Sequence, residues 1–346
     1  MSFFVRSNTV ERINSYSFDG EAILTSGDGV GVGKIYHYLN CKFDYHQRVY
    51  NIHNFSDNIT GKFLYYFFSN HFYERVMRLS AKNSVDSVRK NMISDMEIPL
   101  PPLPEQQKIA EILSTVDEKI VVIDQQITET QELKKGLMQR LLTKGIGHTK
   151  FKDSPLGMIP ESWKVANFNN VCSISSKKFK QEDGKCVDLE HIEQGTGRLI
   201  GYSPIEDKSS IKNEFNVGDV LFCKLRPYLR KYWQCEFYGG CTSELMVLQP
   251  LSNFDSKYLF YTIQRDDFIE NSVSKSFGTK MPRTSWNILS EFVMGLPPLK
   301  EQQKIADILS SVDDKLEVLS EKKTHYQELK QGLMQQLLTG KIRVKV

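Results

Sequence analysis

The chain has 346 residues, a net charge of +3, and 40% hydrophobic and 11% aromatic side chains. That is enough apolar material for more than one core, and it excludes wholesale disorder. No apolar run reaches the roughly 18–20 residues needed to cross a bilayer. Charge is balanced along the chain: 11 basic and 10 acidic residues over 1–100, 7 and 7 over 101–150, 18 and 18 over 151–296, 9 and 7 over 297–346. A chain gripping nucleic acid by bulk charge would carry a larger excess, so such binding must come from local clusters or from a partner that supplies charge.

The start, Met1-Ser2-Phe3-Phe4-Val5-Arg6, lacks the layout of a signal peptide. The six cysteines form no Cys-x-x-Cys, so a reduced cytoplasmic protein is expected. Residues 1–100 read as a mixed domain: strands at Glu21–Leu24 and Arg48–Ile52, a Gly-rich loop between them, and a helix over Gly61–Arg78. A long helix is expected over 101–143. The Gly-, Pro- and Lys-rich stretch 144–162 reads as a linker. A second mixed domain is expected over 163–296, with strands at Asp219–Cys223 and Glu244–Leu248 and a helix near Ser256–Gln264. A second long helix and tail occupy 297–346.

The two long helices are copies. Residues 101–143 and 297–339 align without gaps at an offset of 196, with 28 identities in 43 positions, so the chain is a duplicated unit. In the first copy Ile109, Leu113, Val116, Ile120, Ile123, Ile127, Thr130, Lys134, Leu137 and Leu141 follow steps of 4 and 3. In the second, Ile305, Leu309, Val312, Leu316, Leu319, Lys323, Tyr326, Lys330, Leu333 and Leu337 do the same. That is a heptad seam about five heptads long, weakest at Thr130, Lys134, Lys323 and Lys330. At 1.5 Å per residue, Glu105 to Leu141 spans roughly 55 Å. Each seam is expected to lie antiparallel on the other; packing of each helix on its own domain is the alternative, and fits a 3.6 period better than a 3.5 one. Glu105 and Glu301 sit where a helix dipole favours an anion.

The resulting order is domain, helix, domain, helix. It resembles the DNA specificity subunit of type I restriction-modification enzymes. The resemblance is carried by Ile98-Pro-Leu-Pro-Pro-Leu-Pro-Glu-Gln-Gln107, Gly295-Leu-Pro-Pro-Leu-Lys-Glu-Gln-Gln303, Lys150-Phe-Lys-Asp-Ser-Pro-Leu-Gly-Met-Ile-Pro-Glu-Ser-Trp163, and the tails Gly136-Leu-Met-Gln-Arg-Leu-Leu142 and Gly332-Leu-Met-Gln-Gln-Leu-Leu338. Leu189-Glu-His-Ile-Glu193 and Leu225-Arg-Pro-Tyr-Leu-Arg230 are also similar to the family. The resemblance implies an α+β chain with two target recognition domains, each reading half of a split site on double-stranded DNA, separated by two antiparallel coiled-coil helices. It implies two methyltransferase subunits docked on the helices, with restriction subunits joining them. S-adenosylmethionine, ATP and Mg²⁺ then belong to those partners, and this chain is not an enzyme. Half-sites on one face of a duplex lie roughly 34 Å apart, within the reach of such a rod. Only 19 residues precede Gly20, whereas about 55 separate Trp163 from its rough counterpart Gly218. The first recognition domain is therefore expected to be shortened at its N-terminal side. The competing reading is a methyltransferase-binding adaptor with impaired reading of one half-site.

Candidate DNA-binding residues follow from local clusters. Lys224-Leu-Arg-Pro-Tyr-Leu-Arg-Lys231 offers Lys224, Arg226, Tyr228, Arg230 and Lys231. Ser274–Arg283 offers Lys275, Lys280 and Arg283, and its counterpart offers Lys82 and Arg89. The Gly-rich loop offers Lys34 and Tyr36. That loop fails the P-loop template, with Asp28 where Gly is needed and Ile35 where Ser or Thr is needed. Asp117-Glu-Lys119 and Asp313-Asp-Lys315 echo a nuclease pattern but lie on the heptad helices, and read as solvated helix charge.

Overall fold

The computed structural model describes residues 1–346 except Val30, 81–86, Glu182, 205–211, Thr279 and Val346. In chain order the elements are β1 (Ser2–Phe4), β2 (Val10–Arg12), β3 (Phe18–Ser26), β4 (Tyr36–Tyr45), β5 (Val49–His53), α1 (Gly61–Leu79), α2 (Lys90–Ser94) and α3 (Leu103–Lys144). There follow β6 (Phe151–Lys152), β7 (Ile159–Pro160), β8 (Lys164–Asn167), β9 (Cys172–Ser175), β10 (Lys185–Val187), β11 (Ser203–Pro204), β12 (Asn213–Phe215), β13 (Val220–Cys223), β14 (Tyr232–Gln234), β15 (Gly239–Cys241) and β16 (Leu245–Pro250). The chain closes with α4 (Ser256–Thr262), α5 (Asp266–Ser274), α6 (Trp286–Ser290), β17 (Val293–Leu296) and α7 (Leu299–Leu337). It divides into two compact units: Met1–Ile127 with Leu319–Val346, and Thr128–Val318. Both divisions fall inside the long helices, so each unit holds a piece of α3 and a piece of α7.

In the first unit the sheet order is β2-β1-β4-β3-β5, antiparallel except for β1 against β4. β3 is buried on both faces because its residues alternate. Ile23 meets Leu64, Phe68, Phe72 and Val76 of α1, while Ala22 and Leu24 meet Phe4, Phe43 and Val49. α1 starts at Thr60, whose hydroxyl accepts from the Phe63 N–H at 3.4 Å. In the second unit two four-stranded sheets, β11-β10-β15-β12 and β14-β13-β16-β9, accompany two small ladders. β13 alternates in the same way. Val220 and Phe222 join the cluster around Trp163 and Phe268, and Leu221 and Cys223 join that around Trp233 and Phe215.

Both helix packings occur. In the first unit Ile109, Ala110 and Leu113 pack on Phe63, Tyr66 and Phe67 of α1 and on Met334, Leu337 and Leu338 of α7. In the second unit their repeat images Ile305, Ala306 and Leu309 share a core with Tyr258, Leu259 and Tyr261 of α4 and with Leu141 and Leu142 of α3. Every seam residue of both copies is buried or half-buried. The helices are antiparallel in the first unit: Lys330 pairs with Asp117 at 2.6 Å and Lys323 with Asp124 at 2.6 Å, so seven residues up one helix match seven down the other. In the second unit Lys134 pairs with Asp313 at 2.6 Å, the repeat image of the Lys330–Asp117 pair.

These pairs correct the reading of Asp117 and Asp313 as solvated charge. Each carboxylate takes a seam lysine on one oxygen and a tyrosine hydroxyl on the other, Tyr66 for Asp117 and Tyr261 for Asp313, both at 2.8 Å. Burial chiefly, and the adjacent carboxylate next, raise both tyrosine pKa values. A folded-state pKa above the unfolded value of about 10 means that the stability they contribute is present below about pH 10. It is lost as pH rises through the folded pKa. Tyrosinate absorbance and loss of ellipticity are therefore expected to rise together above about pH 10. The double variant Tyr66→Phe with Tyr261→Phe should reduce the steepness of that transition. Tyrosinate formation at Tyr66 and Tyr261 ahead of unfolding is the contrary result.

The segment 144–162 is built into the second unit rather than strung out. Glu301 accepts from the Ile146 N–H at 3.1 Å and the Trp163 Nε1–H at 3.1 Å, and lies 2.6 Å from His148 Nε2. Gly145 has φ +66°, and a Cβ there would come within 2.3 Å of the Glu301 carboxylate. In the first unit the tail performs the same closure. Glu105 accepts two bonds from the Arg343 guanidinium, at 2.7 and 2.6 Å, and one from the Val344 N–H at 3.2 Å. Arg343 holds the Glu105 carboxyl below its usual pKa. The motif's next residue faces inward as well. Gln106 donates to the Asn58 and Pro101 carbonyls and accepts from the Thr60 N–H. Gln302 donates to the Asn253 and Pro297 carbonyls and accepts from the Asp255 N–H. Thr60 and Asp255 are the N-caps of α1 and α4, so each glutamine ties a long helix to the domain helix it packs on.

Candidate nucleic-acid interface

The basic run Lys224–Lys231 is the connection from β13 to β14. The Cys223 N–H donates to the Lys231 carbonyl at 2.9 Å and closes the loop. Within it Pro227–Leu229 forms a single 3₁₀ turn, flanked by Arg226 and Arg230 in the left-handed region, at φ 49° and 51°. Each such non-glycine residue costs about 1–2 kcal/mol and persists only where the surroundings impose it. They do so here. The Lys224 N–H donates to the Glu244 carbonyl, the Thr284 N–H to the Lys224 carbonyl, and the Arg226 N–H to the Pro282 carbonyl, at 2.9, 3.0 and 2.7 Å. The two basic segments that the sequence keeps some fifty residues apart thus form one surface, joined by an isolated bridge between Leu225 and Arg283.

The first unit repeats this arrangement. The Gly27 N–H donates to the Arg48 carbonyl at 2.8 Å, the Val88 N–H donates to the Gly27 carbonyl at 2.7 Å, and Asp28 bridges to Ser87. Glu244 and Thr284 follow Arg48 and Val88 by 196 residues, the offset of the long helices. The duplication therefore includes the loop that each domain presents, and the Gly-rich loop is the counterpart of Lys224–Lys231.

The candidate side chains divide by what already holds them. Arg283 donates through Nε and a terminal nitrogen to Glu244, at 3.2 and 3.1 Å; this pair raises the Arg283 pKa. Arg230 reaches the Asp266 carboxylate at 2.5 Å, and both line a cleft of about 880 Å³ together with Lys134, Lys135, Arg265 and Asp267. Lys231 donates to the Leu189 carbonyl at 2.6 Å. These three are committed to the fold. Tyr228 is 48% exposed. Lys275 and Lys280 are exposed and Lys224 is half-buried. Arg226 is half-buried, and its buried Nε has no hydrogen-bond partner among the described residues.

In the first unit Lys34 is exposed, 5.1 Å above the Tyr73 ring. Tyr36 points inward, where its hydroxyl donates to the Gly33 carbonyl at 2.5 Å and its ring meets Phe68 edge-on. Burial raises its pKa. Tyr36 is therefore a packing residue. Arg89 is exposed at the N-cap of α2, and Lys82 lies outside the described residues. Asp28, which breaks the P-loop pattern, binds Arg6 at 2.7 Å and also Arg48; these bonds hold its carboxyl below the usual range. The sequence reading missed the acidic partners Glu244 and Asp266, because they lie 39 and 36 residues from the arginines they hold. It also passed over Phe277 and Met281, 60% and 51% exposed.

Comparison with known proteins adds the family. The model of the type I restriction modification DNA specificity domain matches residues 2–133 and 235–331. The chain is similar to the MjaVIII specificity subunit of Methanocaldococcus jannaschii, with 30% identity over 82% of this chain and 71% of that one. It is similar to the EcoDI specificity subunit of Escherichia coli, with 28% identity over 88% and 73%. Its fold is similar to the crystal structure of the S subunit of a type I restriction-modification system from M. genitalium, with TM-score 0.65 and 16% identity over 97% of this chain and 88% of that one. Among the described residues, no helix is long and apolar enough to cross a membrane.

Proposed function

The chain belongs to the type I restriction-modification DNA specificity family, and from that membership we propose that it reads a bipartite target on double-stranded DNA for its methyltransferase and restriction subunits. It is a recognition subunit and not an enzyme. S-adenosylmethionine, ATP and Mg²⁺ serve the partners, two methyltransferase subunits among them. The observation that supports the reading is the pair of equivalent loop surfaces, one per unit; in the second, the guanidinium of Arg226 makes no ion pair among the described residues. Lys275 and Lys280 stand free of ion pairs beside it among the described residues, while Arg230, Lys231 and Arg283 act as its supports. In the first unit Lys34 and Arg89, both exposed, take the corresponding role toward phosphate; Lys82 lies outside the described residues.

Arg226 is assigned to base edges and Lys280 to phosphate. Arg226→Ala in the assembled methyltransferase should cost about 1–3 kcal/mol of discrimination between the target and single-mismatch duplexes. Arg226→Lys should keep charge but lose the fork, and so lose the same preference. Lys280→Ala should weaken all duplexes alike and lower the salt dependence by about one phosphate contact. Mapped methylated adenines and competition binding read both effects. Equal, unselective losses from Arg226 and Lys280 variants would refute the assignment.

A further inference from the structure

We propose that Phe277 and Met281 form an apolar wedge that enters a groove of the DNA and unstacks a base step in the half-site read by the second unit; this rests on the DNA-reading function above. Both side chains are more than half exposed, and the flanks of the segment that carries them are hydrogen-bonded. The Phe277 N–H donates to the Arg283 carbonyl at 3.1 Å and the Arg283 N–H returns to the Phe277 carbonyl at 2.9 Å. Arg283 is clamped by Glu244 and bridged to Leu225, and the Ser276 N–H caps α5 through the Val273 carbonyl at 3.0 Å. Between the two apolar side chains Gly278 turns the backbone at φ +94°.

Around these apolar side chains stand Lys275 and Lys280, both exposed and without ion pairs among the described residues, and, across the Leu225–Arg283 bridge, Tyr228 and Arg226. An apolar tip set among cations suits a groove floored by bases and walled by phosphates. Phe and Met are side chains that proteins insert between base steps. At the 196-residue offset the first unit's sequence reads Ala81 and Val85, which lie outside the described residues; neither side chain is as large as its counterpart or carries a ring, so the distortion is expected in one half-site and not the other.

The test uses the full chain assembled with its methyltransferase subunits, on target duplexes carrying 2-aminopurine at successive positions in each half-site. Apart from the adenine that a methyltransferase subunit draws out of the stack in each half-site, fluorescence should rise at one step in the half-site read by the second unit and stay flat in the other. Phe277→Ala with Met281→Ala should abolish the rise and weaken binding about tenfold at unchanged salt dependence. Phe277→Leu should keep most of the rise. A wild-type footprint with no such fluorescence rise overturns the wedge alone. Absence of any wild-type footprint overturns the DNA reading, and the wedge with it. Loss of methyltransferase assembly by the double variant without DNA would mark the patch as a protein contact, and would also overturn the wedge.

Discussion

Gln302→Ala is expected to destabilise the second unit by about 3–5 kcal/mol, and Gln106→Ala to do the same to the first. Gln302 is fully buried, and its amide satisfies two carbonyls and one N–H at once. Truncation leaves three backbone groups without partners, each worth about 1–3 kcal/mol when buried, offset in part by water entering the space. The partner set explains why alanine is worse than a simple loss of packing. The Asp255 N–H belongs to the cap of α4 and the Pro297 carbonyl to the segment that launches α7, so both helix starts loosen together. All three tryptophans (Trp163, Trp233 and Trp286) belong to the second unit, so their emission during urea unfolding reports that unit selectively; ellipticity reports both. Gln303→Ala, at the exposed neighbour, is the control and should lie within about 0.5 kcal/mol of the parent. Equal effects at 302 and 303 would show that the amide clamp contributes nothing.

Charge reversal at the seam should have the next largest effect. Asp117→Lys places two lysines together and removes the acceptor of the Tyr66 hydroxyl, at an expected cost of about 2–4 kcal/mol for this partly buried pair. Lys330→Asp leaves two carboxylates facing each other and should cost a similar amount. The swapped double variant, Asp117→Lys with Lys330→Asp, should recover much of the loss but not all, because the tyrosine stays unpaired. A double-mutant cycle by urea unfolding gives the coupling. Fully additive losses would mean that the pair is incidental. The Asp313, Lys134 and Tyr261 set should behave alike in the second unit. The physical interest lies in register. A seam of leucine and isoleucine tolerates a slide of one heptad, whereas a half-buried lysine at one seam position accepts only the level at which its carboxylate waits. Replacing Lys134 or Lys330 by Leu should therefore loosen the register, and also cost stability by leaving its partner carboxylate without a cation. That is testable by disulfide trapping between cysteines placed at neighbouring levels of α3 and α7 within one unit.

The heptad seams were legible because each demands only that every third or fourth side chain be apolar, a pattern that burial on one face imposes on the sequence directly. The interruptions at Lys134, Lys323 and Lys330 were legible as weaknesses. Their meaning was not, since a lysine's partner on the other helix is about 180–215 residues away and nothing in local spacing points to it. The same holds for the Glu-Gln-Gln motif. Its repetition was plain, while the division of work between Glu105 and Gln106, one receiving the far end of the chain and the other a domain helix cap, depends on segments distant in sequence. Tyr36 shows the reverse case: a tyrosine beside a glycine-rich loop looks available, but its direction is set by β4 turning that face toward Phe68.

From residue order alone came the duplication, the family resemblance, the two long amphipathic helices and the α+β character of what lies between them, because all of these rest on periodicity or on near-identical strings that need no coordinates to read. Folding alone decided which cations remain free among the described residues and which are spent: Arg226, Lys275 and Lys280 against Arg230, Lys231 and Arg283, each already bonded to a carboxylate or carbonyl. The reason is that a charge's availability depends on its neighbours within a few ångströms. Those neighbours are assembled by strand pairing and turn geometry from stretches of chain that share no local signal.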